Sequence, residues 1–193
     1  MQSTESAPRV GTRDGTRNVS IPAVGLTELR RQLQREAGAL ATIRALHAAG
    51  YRAGQALWES LSRGSAREPL TELDGRAFWE RLSAVLGGRG WGSFTHRTVH
   101  PGIGLLESRD WSEADAHDTE QSSCSLSTGL MAGLLTGAAA GPIAVLETSC
   151  RTRGDERCTF AFGATQTVHD LYGLLLDGHS LESALSCLRR PGT

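Results

Sequence analysis

The sequence predicts an α+β domain: helices packed with an antiparallel sheet of about four strands, arranged as two hairpins. Three observations lead there. The first third of the chain places apolar residues at three- and four-residue steps. Two later stretches, Trp91–Glu107 and Ile143–Phe162, each read as strand, turn, strand. One long helical segment separates them.

Residues 1 to about 20 are rich in Ser, Thr, Arg and Gly, lack periodicity, and are expected to be a disordered tail. Helical pattern follows Thr27, with Leu29, Leu33, Leu40, Ile43, His47, Leu57 and Leu61 on one stripe. Gly50 and Gly54 lie one turn apart within it, so another element can approach closely there. A further helix is expected from about Gly75 to Leu86, with Asp74 as N-cap and Gly87-Gly88 as stop. Its Phe78, Trp79, Leu82 and Val85 form an apolar face. Trp91–Val99 and Ile103–Glu107 then read as strands around the Pro101-Gly102 turn.

Ser112-Glu113-Ala114-Asp115 matches a capping box that opens a helix. His117 and Asp118 beyond it read as solvated helix residues. From about Ser123 to Ala140 a helix carries Gly129, Gly133 and Gly137 every four residues, a groove suited to flush packing. Gly141-Pro142 ends it. Ile143–Cys150 and Cys158–Phe162 form the second hairpin around the polar loop Arg151–Arg157, in which Asp155 after Gly154 has a turn role. Asp170–Leu188 reads as a closing helix interrupted near Gly178.

Composition narrows the function. Twenty basic and 21 acidic residues nearly cancel, so no charge excess points to nucleic acid. Every basic residue is Arg. A chain without Lys forms no lysine Schiff base, carries no P-loop lysine and builds no Ser–Lys dyad. No G-x-G-x-x-G follows a strand, so no dinucleotide site and no catalytic residue is assigned. No run reaches the ~20 apolar residues of a membrane span, and the start lacks a signal-peptide centre. The expected setting is the cytoplasm, away from membranes and without direct nucleic-acid binding.

Disulfides are rare in that compartment, so Cys124, Cys150, Cys158 and Cys187 need another explanation. Cys150 and Cys158 flank one hairpin loop, and Cys124 opens the helix leading into it, where the helix N-terminus favours a thiolate. Three thiolates are good zinc ligands, and Glu147 is the nearest candidate for a fourth. On a regular strand Glu147 and Cys150 face opposite ways, so a shared site requires a bulge or strong twist. Spacing alone leaves zinc, buried structural thiols and a redox pair all open.

The stretches DWSEAD (Asp110–Asp115), CSLSTGLMAGLLTG (Cys124–Gly137) and AVLETSCRTRGDERCTFAFG (Ala144–Gly163) resemble the 4-vinyl-reductase-type domain family. The helical first half, including GYRAGQALWESL (Gly50–Leu61), also fits, so the resemblance covers roughly residues 26–165. That family includes the phenol- and xylene-sensing domains of sigma-54-dependent activators and shares the fold of TRAPP transport-particle subunits. The spacing Cys-x(22)-Glu-x(2)-Cys-x(7)-Cys is its specific part. The resemblance implies a zinc site of Cys124, Glu147, Cys150 and Cys158, with Cys187 outside it. It also implies a small hydrophobic or aromatic ligand. Trp91, His96, His100 and Trp111 are the candidate ligand-binding residues, His96 and His100 sharing a strand face with Phe94.

The expected organisation is therefore a tail (1–20), a zinc-binding domain (21–165) and a C-terminal helical extension (166–193). The expected function is a stand-alone, homodimeric, zinc-containing domain that binds a small molecule in a sensory or accessory role. The alternatives are an enzyme or enzyme partner in tetrapyrrole or aromatic natural-product metabolism, and a protein-interaction module.

Overall fold

A computed structural model describes residues 19–63, 70–114 and 124–188. The proposed tail up to Asn18, and His117 and Asp118, lie outside the described residues. The helical stripe divides into α1 (Ala23–Ala37) and α2 (Ala39–Arg63) at Gly38, whose φ of 80° breaks the helix. A short 3-10 turn (Leu70–Glu72) leads to α3 (Gly75–Gly87). The expected cap is present: Ala77 N–H donates to Asp74 Oδ1 at 2.8 Å.

The first hairpin comprises β1 (Thr95–His100) and β2 (Ile103–Ser108). β1 starts four residues later than expected. Gly92 at φ 103° and Ser93 bonded to Asp110 hold the preceding segment as a loop against the exit of β2. Then follow α4 (Ser125–Ala139), β3 (Ile143–Ser149), a 3-10 turn (Arg151–Arg153) and β4 (Cys158–Ala164). The C-terminal helix starts directly after β4 and is two elements, α5 (Thr165–Leu176) and α6 (Leu181–Cys187), separated at Gly178. None of these helices is long and apolar enough to cross a membrane.

The four strands form one antiparallel sheet in the order β1-β2-β4-β3, the two hairpins joining through β2 and β4. Alternation along the strands serves two layers. Leu106 and Phe160 point to a core shared with α2, α3 and α4, whereas Ile103, Leu105 and Ala161 meet α5 and α6. α4 lies between α2 and the sheet, and five consecutive buried positions, Gly129–Gly133, reflect burial on every side.

The two glycine series meet as the sequence requires. A Cβ on Gly50 or Gly54 would lie 2.0 Å from the Leu126 or Leu130 carbonyl oxygen of α4. Reciprocally, a Cβ on Gly129 or Gly133 would lie 2.1 or 2.0 Å from the His47 or Tyr51 oxygen of α2. The helices pack backbone to backbone, which fixes where α4 begins relative to the sheet.

Candidate functional site

Cys150 and Cys158 are set by the β3–β4 hairpin. The loop between them is tied by Asp155: its N–H donates to the Cys150 carbonyl at 3.2 Å, and its Oδ2 accepts from the Cys150 N–H at 2.7 Å. Gly154, at φ 93°, makes the turn that allows this. Glu147 reaches the same place because the β3–β4 register shifts between Glu147 and Ser149. That irregularity is the bulge the spacing called for.

Cys124 is the residue that caps α4, held by its N–H donating to Glu147 Oε2 at 3.0 Å. Its Sγ lies 3.7 Å from Cys150 Sγ and 4.0 Å from Cys158 Sγ. All three thiols are buried and free of disulfides, and one ligand atom from each of the four residues falls within 4.8 Å of the others. A disulfide would bring sulfurs to about 2.05 Å. Thiolates around a tetrahedral metal with ~2.3 Å bonds stand about 3.8 Å apart, which is the spacing observed.

Electrostatics point the same way. Glu147 Oε1 is buried without a hydrogen-bond partner, a costly arrangement for a carboxylate unless a cation takes it. Burial, then the charge of Cys150, pushes the Glu147 carboxyl up to about 8. Accepting from Cys124 lowers the Cys150 thiol, while donating to Cys150 raises that of Cys124. These four side chains could hold a metal ion, whose charge would favour the deprotonated form of every one of them. Cys187, by contrast, is exposed on α6.

The four proposed ligand-binding residues do not converge. Trp111 is fully buried, donates from Nε1 to Ser127 Oγ at 2.6 Å and meets Phe160 edge-on. Trp91 stacks on it with centroids 6.0 Å apart, so these two form one filled cluster at the start of α4. His96 and His100 separate because β1 has a register shift between Thr98 and His100. His96 pairs with Leu106 of the α2–α4 core, whereas His100 pairs with Ile103 of the α5–α6 core. Cross-strand partners share a face, so the two imidazoles do not. His100 Nδ1 accepts from the Gly102 N–H at 3.1 Å, and its Nε2 is buried unpartnered.

His96 instead joins residues that the sequence had placed in the core. It stacks on Trp79 with centroids 4.2 Å apart at 17°, and Phe162 lies 5.8 Å from it. Gly104 makes room beneath them, since a Cβ there would lie 2.4 Å from the Phe162 ring and 3.1 Å from His96 Nε2. Partial burial lowers the His96 pKa, favouring neutral imidazole. Trp79 walls an apolar cavity of about 310 Å³ lined also by Trp58, Phe78, Leu135, Ile143 and Phe162. On its other side lies a wider, more polar recess reaching Arg76, Glu80, His96 and Thr98.

Residues 109–164 match the family model of the 4-vinyl-reductase domain. The chain carries a 4-vinyl-reductase domain. The matched segment holds Cys124, Glu147, Cys150, Cys158 and Trp111, while Trp79 and His96 precede it. The fold extends beyond that segment. The phenol-responsive sensory domain of the transcription activator PoxR, solved with phenol, is similar at a TM-score of 0.64 and 18% identity, over 90% of each chain. A trafficking protein particle complex subunit 3 from Naegleria fowleri, covalently bound to palmitic acid, is similar at 0.60 and 12%, over 73% of this chain and 91% of that one. A vinyl-4-reductase family protein from Methanocaldococcus jannaschii aligns at 0.45 and 15%, over 77% and 83%. No curated protein sequence matches the chain significantly.

Within the 4-vinyl-reductase segment, sequence reasoning missed one functional side chain. Glu113, assigned to a capping box at Ser112–Asp115, lies in a turn and sends its buried carboxylate to α4 instead. Its Oε1 accepts from Leu126 N–H at 3.0 Å, and its Oε2 from Ser127 N–H at 2.7 Å and from the Ser127 hydroxyl. The available signal was an acidic residue upstream of a helix whose first residue, Cys124, is a poor cap.

Proposed function

We infer that this chain is a zinc-stabilised domain that binds a small hydrophobic or aromatic molecule in a sensory or accessory role. The observation that carries the metal half is the Cys124–Glu147–Cys150–Cys158 cluster, with sulfurs at metal-ligand spacing and one carboxylate oxygen left for a cation. Zinc here would supply structure: it would tie the start of α4 to the β3–β4 hairpin, so its binding energy becomes folding energy.

The ligand half rests on the cavity beside Trp79 and Phe162, apolar and bordered by the neutral His96. Its size suits a small molecule, and no charged side chain lines it. Similarity in fold to a phenol-responsive sensory domain supports that reading. Of the sequence-derived candidates, His96 is best placed to contact such a ligand. Trp91, Trp111 and His100 would act on it through packing. The palmitate-bound relative suggests an acyl ligand as the alternative, but every cysteine of this chain lies at or after Cys124. A homodimer is part of the proposal, since α1 and α2 expose Val24, Leu40 and Ile43.

Native mass spectrometry of freshly purified protein tests metal, retained ligand and oligomeric state together. A thermal-shift screen of phenols, indoles, porphyrin precursors and fatty acids tests the cavity. Binding should raise the melting temperature, by roughly 2.7 kcal/mol of stabilisation at a hundredfold excess over the dissociation constant. The shift should vanish in His96→Ala or Trp79→Ala. No shift with any compound class would overturn the small-molecule reading.

A further inference from the structure

The three cysteines of the cluster are not held equally. Cys150 and Cys158 sit on paired strands, with Asp155 stapling the loop between them. Cys124 has no strand around it; it is the first residue of a helix, and its thiol turns to the other sulfurs instead of capping. A helix that begins this way leaves the N–H groups of its first turn without the side-chain acceptor that Ser, Asp or Asn would supply.

Glu113 supplies that acceptor from 13 residues away along the chain. Only 3% exposed, it takes the Leu126 and Ser127 N–H groups and the Ser127 hydroxyl, which itself accepts from the Trp111 indole. Burial pushes its carboxyl pKa up, against these donors and the positive charge of Arg30 on α1. A carboxylate buried at that cost and satisfied on both oxygens fixes the position of what it binds. What it binds is the turn that carries Cys124.

The geometry points to Glu113 as the positioning residue that holds Cys124 within reach of Cys150 and Cys158, and thereby sets metal affinity; this rests on the metal reading above. Partners one shell out from a metal's ligands typically govern affinity by 10- to 100-fold.

The test uses the full chain as wild type, Glu113→Gln, Ser127→Ala and, as a control for stability alone, Leu171→Ala in the α5–α6 core. Each is stripped with chelator and titrated with Zn2+ against a competing chelator, and with Co2+, whose visible absorption reports tetrahedral thiolate coordination. The Zn2+ dissociation constant should rise roughly 10- to 100-fold in Glu113→Gln and less in Ser127→Ala. It should stay unchanged in Leu171→Ala despite a lower melting temperature. Wild-type affinity and cobalt spectrum in Glu113→Gln would overturn the proposal.

A second measurement needs no metal. In chelated protein, alkylation mapped by mass spectrometry should speed up at Cys124 in Glu113→Gln and stay unchanged at Cys150 and Cys158. Equal rates at all three, or no change at Cys124, would also overturn it. Wild type that takes up neither ion overturns the metal reading instead, and the alkylation pattern still decides whether Glu113 holds Cys124.

Discussion

Glu147 Oε2 accepts the backbone N–H of Cys124 at 3.0 Å, while Glu147 Oε1 is buried facing no donor at all. One oxygen thus secures the helix start, and the other is open to the three sulfurs. This division gives Glu147 two separable jobs, and the cysteines one.

Metal analysis of protein purified without chelator should find one zinc per chain. Cys150→Ser and Cys158→Ser should each lose it and be destabilised by several kcal/mol, since the site's binding energy is folding energy. Well under half an equivalent of zinc, with an unchanged melting temperature in both variants, would argue for buried structural thiols.

Glu147→Ala should be milder than any of the three cysteine changes. Water can replace a carboxylate ligand, whereas a thiolate brings both charge and a soft donor. Chelator competition across the four variants ranks them; equal zinc loss in all four would make Glu147 indispensable.

Gly54→Ala should destabilise the fold by at least roughly 1–3 kcal/mol, because its Cβ would enter the Leu130 carbonyl of α4 and overpack the α2–α4 contact. Gly173→Ala in α5 meets nothing within 4 Å and should instead stabilise by about 0.5–1 kcal/mol, the helix preference for Ala. Paired chemical denaturation curves check both signs.

His96 sets a pH dependence. Its pKa in the fold is lowered by burial, so below the ordinary 6.5 the unfolded chain binds the proton more readily. Stability conferred by the neutral stacked imidazole is present above that value and declines as pH falls below it. Between pH 7.5 and pH 5, wild type should therefore lose more stability than His96→Phe; parallel losses in denaturation curves would show that the Trp79 stack does not depend on charge.

Much of this was legible in the sequence because it is local. Periodicity fixed the helices, turn residues fixed both hairpins, and four-residue glycine spacing foretold a close helix contact, since each depends on neighbours along the chain. The zinc-ligand set was legible because its spacing resembles a family's, and the need for an irregular strand at Glu147 followed from the pleat alone. Strand faces were not: the register shift in β1 depends on pairing with β2, and it moves His100 to the layer opposite His96. Nor were the roles of Trp79, Phe162 and Glu113. Trp79 carries the same helical spacing as any core residue, and only the bare floor at Gly104 lets it stack with His96 beside a cavity. Glu113 fitted a local cap equally well, and what decided otherwise was the distant α4, whose leading cysteine spends its side chain on the other sulfurs and leaves its first-turn N–H groups to a carboxylate brought in by the fold.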